Sequence, residues 1–379
     1  MHYPDRLINT YQSVVLLAYP RNARTVSQKV ILQYYISMEL LGNVIDHGIY
    51  IFLYLYIAAF IYNYFTTRIS IAHPPRIGSV INVNGRKQYI AILGSKKPVV
   101  VIEPSIGSSA LEWYNVCTEL SKYVRVVIYD RAGYGWSDPG PKPRYGKQIA
   151  AELRLLLKQA QIKGPYIFVS QAEGALFAEQ FARQYPQEVA AFIVVNPVSK
   201  DNSALSKLDV PSFHKVFAHS GTVDKIRVKE AMSRFGIMRL GKRFLKQRYT
   251  RIGYKSLPQE VLNAFLETRV FAKTYETEIQ ETEVMMQTTA DIQSSNAFPD
   301  IPVTVIHHDP VVSMQSMVSQ GVSEHDAQLV EDVWQKQAKE YLSLSSHSHW
   351  NVAKKTSFNI PLTEPGIIVD AVKSTLEEI

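Results

Sequence analysis

The chain is almost without cysteine. Cys117 is the only one in 379 residues, so no internal disulfide can staple the fold. No N-x-[ST] sequon occurs, which argues against a glycosylated lumenal domain. Internal repeats and low-complexity tracts are missing too, and with them solenoid and linker architectures. Acid is in short supply: 34 Asp and Glu against 41 Lys and Arg give a formal net charge of +7. That balance favours anionic surfaces such as lipid head groups. No nucleic-acid-binding motif accompanies it. No cofactor is expected.

The other conspicuous absence is local. Residues 48–65, GIYIFLYLYIAAFIYNYF, contain no charge over 18 residues. That is long enough for one transmembrane helix, and its five tyrosines suit a membrane interface. The segment starts too late for a cleaved signal peptide and no small-residue cleavage site follows it. Arg6, Arg21, Arg24 and Lys29 precede the span, and Arg68, Arg76 and Arg86 follow it. This asymmetry slightly favours a cytoplasmic or matrix-side N terminus. Residues 1–38 hold one acid, Asp5, a composition that also fits organellar targeting, with the mitochondrial inner membrane as the expected address.

Beyond the span, His73-Pro74-Pro75 ends any helix. Residues 79–84 and 88–93 flank Asn84-Gly85, a hairpin signal. Apolar runs at 98–103, 124–129, 165–170, 190–195 and 302–307 read as buried parallel strands. Helical stripes at 110–121, 147–160, 174–184, 324–342 and 364–378 alternate with them, and a last strand falls near 350–354. Such alternation implies a doubly wound parallel sheet. Residues 198–298 interrupt it with mainly helical sequence, the pattern of a lid inserted between two strands.

The stretch 165–175, PYIFVSQAEGA, reads as strand, tight turn and helix start. Residues 129–138 read YDRAGYGWSD, preceded by SSALEW and followed by AAELRLLL, GPYIFV and FARQYPQEVAAFIVVNP. From about residue 75 onward, these ordered segments resemble the α/β-hydrolase superfamily, most of all its membrane-tethered bacterial-type members. The resemblance implies an α/β fold with a doubly wound, mostly parallel sheet and a helical lid, preceded by one transmembrane helix. The expected divisions are 1–47 juxtamembrane, 48–66 transmembrane, 67–75 linker and 76–379 hydrolase-like domain, with 198–298 as the lid.

The resemblance also implies where catalysis should reside. The nucleophile position of G-x-S-x-G falls on Ala172, within Ser170-Gln171-Ala172-Glu173-Gly174. Alanine has no hydroxyl to attack a carbonyl. The loop after the third strand, normally glycine-containing, reads Glu103-Pro104-Ser105, so Ser105 stands at a degenerate oxyanion position. An ungapped alignment of the C-terminal pattern puts Phe358 where the base histidine belongs. Asp309 is the nearest remnant of the acid, and Asn196 stands where relatives often carry Asp. Nucleophile, base and oxyanion loop, three catalytic elements, are thus missing together.

Other residues could rescue chemistry. His349 as base would sit before the last strand, on the wrong edge of the sheet. His307, His308, His347 and His349 leave and enter opposite sheet ends, so no metal centre is expected. Ser170 as a displaced nucleophile has no histidine to activate it. Glu173 is expected to cap the following helix. Residues 225–255 carry eleven Lys and Arg against one acid, interleaved with apolar residues. Arg239, Lys242, Arg243, Lys246, Arg248 and Arg251 are accordingly expected to meet lipid or a partner.

The expected function is therefore a catalytically inactive, membrane-anchored hydrolase-like protein, acting as a structural or binding subunit of a membrane assembly. Its partners would be membrane lipid, other membrane-protein subunits and a small apolar ligand in the vestigial pocket. The alternative is a membrane-anchored esterase or lipase with rearranged catalytic groups.

Overall fold

In the computed structural model, residues 21–198, 205, 207–217, 222–356 and 358–379 are described. The first 20 residues of the expected juxtamembrane segment lie outside them. The chain divides into two units, Met1–Ile61 and Tyr62–Ile379. One helix, Arg21–Ala72, runs for 52 residues, and its Ser37–Ala72 part is long and apolar enough to cross a membrane. The stretch expected as a linker is helical as far as Ala72 and stops where His73-Pro74-Pro75 begins.

The second unit holds an eight-stranded sheet, with strands β1 Ser79–Val83, β2 Arg86–Leu93, β3 Val99–Glu103, β4 Arg125–Tyr129, β5 Tyr166–Gln171, β6 Val189–Val195, β7 Val303–His308 and β8 Ser348–Ala353. Their order across the sheet is β1-β2-β4-β3-β5-β6-β7-β8. Asn84 and Gly85 both take positive φ, 50° and 84°, the twist that closes a two-residue hairpin between β1 and β2. β2 pairs antiparallel with β4, and every later pairing is parallel.

Both faces of the sheet are covered, which explains the unbroken apolar runs. Val99, Val101, Phe168 and Phe192 pack beneath helices Gly146–Gln159 and Gly174–Gln184. Their alternates Val100, Ile102, Ile167 and Ile193 pack against Trp113, Leu120, Ile368 and Val372 on the other side. Between β6 and β7 the chain leaves the sheet for the helical insertion, as expected; its helix Gln259–Thr268 packs in a third cluster with Tyr89 and Trp136, and its helix Ala272–Glu283 places Tyr275 and Ile279 against Ile226 in another.

The lid is riveted to the C-terminal turns of the long helix. Asn63 donates to Ser233 O at 3.1 Å, Trp136 Nε1 donates to Ser70 O at 2.9 Å, and Ser70 Oγ donates to Glu267 at 3.2 Å. Arg239 joins this knot, reaching Asn63 Oδ1, Glu267 and Thr67 Oγ1 at 3.0–3.1 Å. Lys242 also pairs with Glu267. These two residues were expected to face lipid or a partner. They turn inward because a carboxylate and two polar side chains distant in sequence meet them there. Lys246 reaches Gln259, whereas Arg243, Arg248 and Arg251 are exposed.

Candidate functional site

Parallel strands place their carboxyl ends, and the loops that follow, along one edge of the sheet. Ser105 after β3, Ala172 after β5, Asn196 after β6, His307 and His308 at the end of β7, and Phe358 beyond β8 all line one cavity there, of about 1010 Å³. The positions read from sequence as nucleophile, oxyanion loop and base are thus brought together around a common space. Apolar surface from Ile106, Val198, Ile226, Met285, Met286 and Trp334 fills out its wall.

Ala172 has φ +46°, a left-handed conformation that costs alanine about 1–2 kcal/mol. The strained turn that exposes a serine in active relatives is retained here without the hydroxyl. Gly174 is needed for a different reason: a Cβ there would lie 2.5 Å from the Pro104 carbonyl oxygen, so the helix start packs directly on the loop after β3. Ser170 is fully buried in the strand and, among the described residues, its Oγ reaches only Ile193 O, at 3.4 Å.

Glu173 does not cap the helix as expected. Its own backbone is already helical, φ −64° and ψ −24°, and its side chain makes no cap bond. The carboxylate instead accepts a 2.6 Å hydrogen bond from Ser105 Oγ. Oxyanion catalysis needs donors where negative charge develops. Here a carboxylate sits beside that loop, and two like charges about 4 Å apart repel by about 4 kcal/mol at an effective dielectric near 20. Glu278, from the lid, also faces the cavity. Burial pushes its carboxyl up from the ordinary range, and its Oε2 has no hydrogen-bond partner among the described residues.

Asp309, read as an acid remnant, is otherwise engaged. Pro310 starts a helix, Pro310–Ser319, immediately after it, and Asp309 accepts from the Val311 and Val312 amides as its N-cap, at 2.8 and 3.4 Å. Asn196 has become a hub with φ +44°. Its Oδ1 accepts from the His308 backbone amide at 2.8 Å and faces His308 Nδ1 at 3.0 Å, while Nδ2 donates to Phe358 O at 3.2 Å. The Phe358 ring packs 4.9 Å from both His308 and Trp334. Burial pushes the His307 imidazole down to about 4. His349 lies at the other end of the sheet, opposite Thr304 and bonded to Glu378 at 3.1 Å. This matches the separation expected of the four histidines.

The segment 129–138 is a clamp. Arg131, 4% exposed, donates to Glu103 at 2.7 Å, to Glu281 of the lid at 2.9 Å, and to the carbonyls of Pro104 and Ser105 at 2.7 and 3.1 Å. Tyr134 OH donates to Glu281 at 2.9 Å and accepts from the Gly107 amide at 3.1 Å. Loop, sheet and lid are locked by one guanidinium. Asp130 shapes the turn by accepting from the Trp136 amide at 3.1 Å; a Cβ on Gly135, φ +43°, would fall 2.1 Å from its carboxylate.

Burial, offset by hydrogen bonds from backbone amides, raises Asp130 to about 6. A folded-state value above the unfolded one means the native state binds the extra proton, so this group favours folding at low pH and ceases to as pH rises through about 6. Asp130→Asn removes the dependence. The stability of the variant relative to wild type is expected to rise by about 2 kcal/mol between pH 4.5 and 7 in denaturation experiments.

The comparisons with known proteins agree with this architecture. A family model described as alpha/beta hydrolase fold matches residues 98–320. The uncharacterized protein YbdG of Bacillus subtilis is 28% identical over 166 residues, 42% of this chain and 51% of its own, so the match spans about half that relative. An uncharacterized vacuolar membrane protein of Saccharomyces cerevisiae is 34% identical over 104 residues, 26% of this chain and 16% of its own. Cfl2 of Burkholderia cenocepacia has the same fold at a TM-score of 0.58 and 15% identity, covering 80% of this chain and 97% of its own. The family match covers more than half of the residues, the sheet order follows the resemblance, and the chain belongs to the alpha/beta hydrolase fold family.

Proposed function

We propose that this protein is a membrane-tethered hydrolase-fold module that binds rather than cleaves, its cavity holding a small molecule with an apolar body and a hydrogen-bond-donating head. The observation that carries this reading is the persistence of a cavity of about 1010 Å³ around a nucleophile turn that bears only Ala172 and a base position that bears Phe358. Apolar walls with a few convergent polar groups are the usual make-up of a ligand site. Glu173 and Glu278 supply acceptors at the place where an ester's developing oxyanion would need donors. The test is extraction of the full chain from its source membrane, followed by mass spectrometry of bound small molecules. An amphiphile is expected with wild type and is expected to be depleted in Thr282→Trp, which places an indole in the cavity. Recovery of no ligand, or equal recovery with both proteins, would contradict the reading.

The second reading, a subunit of a membrane assembly, is favoured by the lid surface. Phe235, Ile237, Leu240 and Phe244 are 39–74% exposed, and Arg243, Arg248 and Arg251 are exposed among them. On this reading the protein migrates on native gels far above its 43.0 kDa after gentle detergent extraction; migration as monomer or dimer removes it. The mitochondrial inner membrane is the address proposed from the basic, acid-poor start of the chain, and co-fractionation with markers of that membrane tests it.

A further inference from the structure

At the end of β7 two adjacent histidines and a glutamate form a cluster that the hydrolase resemblance does not assign. One ligand atom from each of His307, His308 and Glu331 lies within 4.8 Å of the others, and all three residues are at most 2% exposed. Glu331 comes from the facing helix Glu324–Lys339. The two imidazole rings lie 4.0 Å apart between centroids, tilted by 33°.

The hydrogen bonds assign the ring protons. His307 Nδ1 lies 2.9 Å from the His308 carbonyl oxygen. A carbonyl only accepts, so the proton belongs on Nδ1 and the lone pair on Nε2. For His308 the partner of Nδ1 is Asn196 Oδ1, at 3.0 Å. The orientation of that amide follows from its other bonds, since Oδ1 accepts from the His308 backbone N–H and Nδ2 donates to Phe358 O. His308 Nδ1 is therefore also a donor. Its Nε2 then faces the two Glu331 oxygens at 3.0 and 3.2 Å. A lone pair and a carboxylate facing each other in a dry site need a cation between them, either a proton or a metal ion.

We propose that His307, His308 and Glu331 bind a divalent cation of the zinc class. In each ring Nδ1–H is held by an oxygen acceptor and Nε2 is left as the ligand, the arrangement that outer-shell groups impose on metal-binding histidines. Two imidazoles and one carboxylate suit zinc or its neighbours better than magnesium or calcium. Tetrahedral zinc with bonds of 2.0–2.1 Å puts its ligand atoms about 3.3 Å apart. The His308 Nε2–Glu331 pair is already near that spacing, and His307, with a ring nitrogen within 4.8 Å of the other ligand atoms, closes on them when the ion binds. His307 and His308 both line the cavity while Glu331 stands behind them, so a fourth coordination position opens into the cavity. Such a site stands whether or not the cavity holds an amphiphile, and it is separate from the missing serine mechanism.

The test uses the full chain in detergent after treatment with chelator. Calorimetric titration with Zn²⁺ is expected to give one equivalent bound at sub-micromolar dissociation constant, and Glu331→Gln, which keeps a hydrogen-bonding group beside His308, is expected to weaken it about 100-fold. Titration of wild type with Co²⁺, which needs no variant, is expected to give the visible absorption of a four-coordinate site, abolished by Zn²⁺. Absence of a saturable Co²⁺ band, or zinc affinity equal in wild type and Glu331→Gln, would overturn the proposal and leave a proton between His308 and Glu331.

Discussion

Arg131→Ala is expected to be the most damaging single substitution outside the apolar core, lowering stability by about 3–5 kcal/mol. The guanidinium stands between two carboxylates, Glu103 and Glu281, which are 1% and 0% exposed. Removing it leaves Glu103 with only the Tyr129 hydroxyl, and Glu281 with Tyr134 and Arg144, in a dry interior where burial already raises the Glu103 carboxyl. It also frees the Pro104 and Ser105 carbonyls that set the loop beneath Ala172. Arg131→Lys is expected to recover only part of the loss, because an ammonium cannot span four acceptors as a planar fork does. Arg131→Ala combined with Glu281→Gln is expected to lose less than the sum of the two single changes, since the two side chains pair directly and each single change leaves a buried charge short of a partner. Thermal denaturation of the full chain in detergent reads all three comparisons. A loss below about 1 kcal/mol for Arg131→Ala, the level typical of surface pairs, would mean that the clamp is dispensable.

Ala172→Ser is expected to create no hydrolase. The hydroxyl would sit on the correct turn, φ +46°, but without a base it is not activated. Phe358 stands where the resemblance puts the base, His308 is engaged on both ring nitrogens, and the Glu173 carboxylate beside Ser105 would oppose an oxyanion there. Triad members act as a unit, and losing one typically costs 10⁴ or more in rate. The single change is therefore expected to leave ester turnover at background. Ala172→Ser, Phe358→His and Glu173→Gln together are expected to give the first detectable turnover, with an effect far larger than the sum of the single changes. Measurable hydrolysis by Ala172→Ser alone would reveal a base elsewhere in the cavity.

The sheet was legible because a strand buried on both faces must be apolar throughout. The runs at 98–103 and 190–195 therefore stand out, and β3 and β6 fall on them within about a residue. The turn at Ala172 was legible because the strand-turn-helix around it is local. The helix Pro310–Ser319 was not foreseen, although Asp309-Pro310 carries both an N-cap and an N1 proline; reading Asp309 as a catalytic remnant obscured that signal. The inward turn of Arg239 and Lys242 depends on Glu267, Asn63 and Thr67, which no spacing rule joins to them. Glu331 behind His308 was hidden in the same way: it lies 23 residues away on a helix whose polar face looks like any solvated face.

The measurement that bears most directly on the proposal that this chain binds rather than cleaves is reaction of the full wild-type chain with a fluorophosphonate probe, alongside turnover of short-chain and long-chain p-nitrophenyl esters. No labelling and no turnover above buffer are expected, because the half-buried turn carries a methyl group at Ala172 and the one serine within β5 is fully buried. Stoichiometric labelling, or ester hydrolysis lost on Ser170→Ala, would contradict it and establish an active enzyme with its nucleophile displaced.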